Sequence, residues 1–96
     1  MEDQDHPISD RPQLSEIAVQ EAVDGLIEKL VYRLNTKGWG IAVSSAEIMG
    51  IVDGEVDELH DAYHEKDLEQ MDIELTDIAV ACLLGNMSIR SKKIQW

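Results

Sequence analysis

Apolar positions recur at intervals of three and four in three successive stretches of the chain, the spacing that places side chains on one face of a helix. In the first, Val19, Val23, Leu26, Leu30 and Leu34 mark an amphipathic helix from about Pro12 to Thr36, with Gly38 as its C-terminal stop. The turn from Asn35 to Gly40 leads to Ser44, whose hydroxyl can cap a second helix, with Glu47 three residues on as its capping-box partner. That helix is expected to run from Ser45 to Glu65. Asp67 with Gln70 repeats the capping signal, so a third helix starts at Leu68 and runs to about Leu84, after a turn too short for anything but an antiparallel neighbour. The tail after Gly85, ending in Trp96, is expected to form only a short helix or an extended arm. The pattern predicts an all-α antiparallel bundle of three main helices plus a short C-terminal segment. Residues 1–12, with two prolines and almost nothing apolar, read as a flexible lead-in to a single domain over 13–96.

Beyond Asp77 the third helix is apolar on most faces, more than two partner helices can cover. A chain of 96 residues buries only a modest core, so a second copy is expected to complete it, as a homodimer or a tetramer. Cys82, the single cysteine, is expected to be a small buried side chain in this helix.

Acids interrupt the apolar arcs of the second and third helices. With Glu55 at zero, Ile48, Leu59 and Val52 fall at about +20°, +40° and +60°, and Ala62 and Ile51 at about −20° and −40°, which puts Glu55 inside the arc and Glu58, at about −60°, on its edge. Asp57, His60, Asp61 and His64 project to the opposite, solvated side. Met71, Ile78, Ala81 and Cys82 surround Glu74 in the same way, with Asp77 again one step along the edge. Glu58 lies nine residues before Asp67 and Glu74 seven after it, so the two pairs stand at similar heights. Burying an unpaired carboxylate costs several kcal/mol. A whole domain is stable by only about 5–15 kcal/mol, so the four acids require positive charge. Between Gly38 and Arg90 the only Lys or Arg is Lys66. A hard divalent cation fits best; carboxylate-only ligation suits Mg²⁺ or Mn²⁺, and Mg²⁺ sites are commonly completed by substrate phosphates.

At these residues the chain resembles the MazG-like all-α nucleoside triphosphate pyrophosphohydrolases, whose pattern is an E-x-x-E pair on one helix and an E-x-x-D pair on the next. Here the pairs are Glu55 with Glu58 and Glu74 with Asp77, separated by the 15 residues Leu59 to Ile73. The resemblance takes in the Lys37, Gly38, Trp39 turn and the apolar run Ile78 to Leu84, covering roughly residues 15 to 88. It implies a Mg²⁺-dependent hydrolase that splits an NTP or dNTP into the monophosphate and pyrophosphate, acting as a homodimer or a dimer of dimers. Glu55, Glu58, Glu74 and Asp77 would hold the metal. Glu58, from its phase at the edge of the arc, is assigned as the base that accepts a proton from the attacking water. Trp39 is read either as a surface on which a base stacks or as a core plug at a helix junction. Arg33 and Lys37 could reach a phosphate, or could serve as a basic last turn matching the helix dipole. The chain departs from a phosphate-cleaving site in having no basic residue after Asp77 until Arg90, and in its shortened end.

Charge narrows the alternatives. The net charge is −12, and twelve of the twenty acids lie between Glu47 and Asp77, which argues against nucleic acid as a partner. There is no long apolar run and no secretory start, so no membrane partner is expected and the location is taken as cytoplasmic. His60 and His64 stand at i, i+4 but lack a third ligand in phase for Zn²⁺, and no Glu-x-x-His pair of the kind a di-iron bundle uses is present. Two rivals to the enzyme follow from the same residues. One is a non-catalytic acidic helical dimer that binds a protein or senses a nucleotide; the other, resting on charge alone, is an inhibitor that mimics DNA.

Overall fold

A computed structural model describes residues 10–96, so most of the expected lead-in lies outside the described residues. Among these the chain is all-helical: α1 (Glu16–Lys37), α2 (Ser45–His64) and α3 (Leu68–Arg90), with no strand.

Local chemistry accounts for the helix ends. Ser15 caps α1, its hydroxyl accepting from the Ala18 amide at 3.0 Å, which starts the helix four residues later than the apolar spacing alone implies. Gly38, at φ 102°, ends it by donating to the Leu34 carbonyl at 2.9 Å, a conformation that favours glycine. Ser44 caps α2 by accepting from the Glu47 amide at 3.1 Å, while the Glu47 carboxylate takes the Val43 amide at 2.7 Å, one residue earlier than in a standard capping box. Between α2 and α3, Lys66 sits in the left-handed region at φ 58° while the Asp67 amide donates to the Ala62 carbonyl at 3.0 Å, a Schellman turn that closes α2 just before Asp67 opens α3.

The third helix runs on to Arg90, six residues past its expected end. Gly85 is a packing residue there, not a stop. A Cβ at Gly85 would stand 2.9 Å from the Ile48 Cγ2 atom, so α2 and α3 approach as closely as they do because this side chain is missing. Past Lys92, itself left-handed at φ 63°, the chain returns to α2: the Gln95 amide donates to the Val43 carbonyl at 2.8 Å and its carbonyl accepts from Ser45 at 2.9 Å. Ser88, fully buried, accepts from the Ala42 amide at 2.9 Å and ties the same loop to α3.

The buried apolar core is small: Leu34, Ala62, Val80 and Ala81. α2 packs along α3, whereas α1 touches α3 and makes no close backbone approach to α2. The radius of gyration is 16.3 Å, above the about 12–13 Å of a compact chain of this length. Apolar surface is left uncovered as a result. Leu68, Leu75, Cys82 and Ile89 are all exposed and recur every seventh residue along α3, while Val19, Val23 and Ile27 are exposed on α1. Cys82 is therefore a surface thiol in the single chain, contrary to its expected burial, because α2 and α1 cover other faces of α3.

Candidate functional site

Because α1 leans on α3 and stays clear of α2, a cleft of about 460 Å³ opens between α1 and α2, with α3 as its floor. The α2 wall includes Gly50 and Gly54, whose missing side chains face open space, together with Glu55 and Glu58. Two mid-helix glycines cost roughly 0.5–1 kcal/mol each relative to alanine, and what they leave behind is room along this wall. The floor presents Asp77 with apolar Val80 and Leu84. The α1 wall presents Lys29, Arg33 and Lys37.

Three of the four acids come together. One carboxylate oxygen each from Glu55, Glu58 and Glu74 lies within 4.8 Å of the others. Glu74 is the deepest, at 6% exposure, and Gln70 holds it by donating to Oε2 at 2.7 Å. Gln70 thus serves the site as well as the helix start: its backbone amide goes to the Asp67 cap and its side chain to Glu74, one turn along. The other oxygen, Glu74 Oε1, is buried without a hydrogen-bond partner, and so is Glu55 Oε1. Orphaned buried carboxylate oxygens are costly unless something cationic reaches them.

Asp77 has a different partner. Its Oδ1 lies 3.2 Å from Lys29 Nζ, an ion pair from the floor to α1. Part of the positive charge expected near the acids is thus supplied from within the chain, by a residue before Gly38. The signal for Lys29 was present in the spacing of Lys29, Arg33 and Lys37, each four residues after the last, but it emerges only when the polar phase of the first helix is read beside its apolar phase.

The electrostatics follow the geometry. The Glu55 carboxyl is held above the ordinary carboxylate range, first by burial and then by the charges of Asp77 and Glu74, while Lys37 and Arg33 across the cleft pull it back down. Glu58 is likewise raised, first by Glu55 and then by a hydrogen bond and charge shared with Glu74. Closely spaced carboxylates resist ionising together.

A hard divalent ion fits this donor set. Its bonds to oxygen run about 2.0–2.6 Å, so oxygens on one ion stand up to about 4–5 Å apart, the separation found in this cluster, and two of its three residues carry a buried oxygen without a partner. Trp39 lies outside the cleft and is 72% exposed, so it is not a core plug. His60 and His64 are exposed, their rings stacked 6.4 Å apart on α2. No helix among the described residues is long and apolar enough to cross a membrane. Comparison of the chain with protein-family models, curated proteins and solved structures finds no match.

Proposed function

We propose that this chain is a Mg²⁺-dependent, MazG-like nucleoside triphosphate pyrophosphohydrolase that converts an NTP or dNTP to the monophosphate and pyrophosphate, acting in the cytoplasm as a homodimer or tetramer of antiparallel helical bundles. The observation that carries the reading is the convergence of Glu55, Glu58 and Glu74 on one point, with two buried oxygens left without partners. These three residues, with Asp77 once released from Lys29, would hold Mg²⁺ or Mn²⁺. Bound there, the ion supplies charge neutralisation at the phosphates and a more acidic attacking water.

The chain's own groups do the rest. Glu58, exposed on the cleft lining and with its carboxyl raised by the neighbouring Glu55 and Glu74, takes the proton from water. Arg33 and Lys37 hold phosphate oxygens from the opposite wall. Trp39, free at the end of α1, stacks on the base of a nucleotide whose phosphates enter the cleft. The apolar stripe of α3, four residues spaced seven apart, supports closure by a second copy.

Pyrophosphate release from a panel of NTPs and dNTPs, with and without Mg²⁺, tests the reading. Glu74→Ala is expected to lower release by at least about a hundredfold. Equal release with and without Mg²⁺, or from the variant, would refute it. A second reading, a non-catalytic acidic dimer that senses a nucleotide, is favoured by the Lys29 pairing with Asp77, which neutralises one acid without metal. It predicts Mg²⁺-dependent nucleotide binding with no turnover.

A further inference from the structure

We propose that α1 carries the phosphate-binding wall of the cleft, with Lys29, Arg33 and Lys37 as a rail for a linear polyphosphate, and that Lys29, held by Asp77 in the free chain, transfers from Asp77 to the ligand on binding. The inference deepens the reading above and rests on its placing a nucleoside polyphosphate in this cleft.

Each step of four residues advances about 6 Å along a helix and turns about 40°, so the three cationic groups span about 12 Å of one wall in a shallow spiral. They are three of the chain's eight basic residues, gathered on one side of a cleft whose other side is acidic. Among the described residues no other Lys or Arg lines it. Among the described residues Arg33 and Lys37 form no ion pair, and their charges act across the cleft on Glu55, pulling its carboxyl down.

The simplest competing explanation is a basic helix end that matches the macrodipole. That accounts for Lys37 and Arg33 in the closing turns but not for Lys29, two turns back, where the dipole effect has faded. Lys29 instead points across to Asp77. The pair is partly exposed, with side chains at 39% and 26%, and such pairs are weak. A phosphate, carrying more charge and more acceptor oxygens than a carboxylate, can therefore displace Asp77 from the ammonium. The exchange frees Asp77 just as the ligand arrives. The rail also supplies what the region after Asp77 lacks, since no basic residue follows there before Arg90.

The test is calorimetric binding of sodium tripolyphosphate to the full chain in EDTA at fixed ionic strength, with helicity of every variant checked by circular dichroism. Lys29→Gln is expected to weaken binding about tenfold and Lys29→Arg to restore most of it. Asp77→Asn is expected to tighten binding several-fold more than Asp57→Asn, an equal charge change at an exposed position, and that extra gain should vanish in the Lys29→Gln, Asp77→Asn double variant. Tripolyphosphate should bind at least about tenfold tighter than orthophosphate, because only the longer anion meets several rail groups. No saturable tripolyphosphate binding, an unchanged Lys29→Gln, or equal gains from Asp77→Asn and Asp57→Asn would each overturn the proposal. None of these arms involves metal or hydrolysis, so absent pyrophosphate release with this pattern intact refutes the enzyme alone, and Mg²⁺-dependent release with a flat Lys29 response refutes the rail alone.

Discussion

The two walls of the cleft are anchored in different ways. The acidic wall belongs to α2 and α3, which are capped at the turn between them, strapped at the other end through Gln95 and Ser88, and pressed together where Gly85 meets Ile48. The cationic wall is one helix, α1, whose only buried residue is Leu34 and which exposes Val19, Val23 and Ile27. The clustered carboxylates Glu55, Glu58 and Glu74 sit on the well-tied pair. Lys29, Arg33 and Lys37 sit on the loosely tied helix, where long Lys and Arg side chains tolerate movement. On the proposed reading, geometry is demanded of one wall and only charge of the other.

That contrast can be broken first at Leu34. Leu34→Ala removes the main apolar anchor of α1 and is expected to cost about 2–3 kcal/mol, with amide exchange accelerating throughout α1 while the α2 and α3 amides keep most of their protection. Uniform loss of protection in all three helices would show that the walls are not separately anchored. Next in size is the close approach in the acidic wall. Gly85→Ala gains about 1 kcal/mol of helix propensity but forces a methyl against Ile48 Cγ2, and overpacking of this kind costs about 1–3 kcal/mol, so a net loss in thermal unfolding is expected. Gly54→Ala, with open space around it, should gain stability. If both variants were stabilised, the 2.9 Å approach would not be a constraint.

The smallest effect sharpens the electrostatic side of the comparison. Glu55 and Glu58 are raised in the folded chain, so the native state binds protons more readily than the unfolded one. Stability contributed by their protonation is present below the unfolded value of 4.5 and is lost as pH rises through the raised folded values. The metal-free chain should therefore become modestly more stable on acidification from neutrality toward that range, as followed by thermal unfolding. Glu74→Gln should imitate this at pH 7 and flatten the profile. A metal-free chain whose stability falls steadily on acidification over the same interval would contradict the crowding of these carboxylates.

Helix ends were legible because their causes are local: Ser44, Asp67 and Gly38 act within a few residues of themselves. The inward phase of Glu55 and Glu74 was legible too, since it follows from helix periodicity. What periodicity cannot carry is distance across the chain. The third helix was expected to end near Leu84, and only the position of Ile48 reveals Gly85 as a contact inside a helix that runs on to Arg90. Cys82 read as buried because its neighbours are apolar, yet burial depends on which faces α1 and α2 choose. Asp77 looked like a fourth ligand by spacing, and its pairing with Lys29 spans 48 positions that no local pattern links. Trp39 had two readings from its place in the turn, and the core reading failed because the α1–α2 loop runs outside the small core.

The central claim is that Glu55, Glu58 and Glu74 form a divalent-ion site. Titration of Mn²⁺ into the full chain, followed by the loss of its free-ion electron paramagnetic resonance signal, tests this without requiring a substrate. The chain should bind Mn²⁺ with saturation, Mg²⁺ should compete, and Glu74→Gln, folded and more stable without metal, should weaken binding at least about tenfold. Equal binding by the chain and by Glu74→Gln would mean that the ions collect on the acidic surface, and the cluster would not be a metal site.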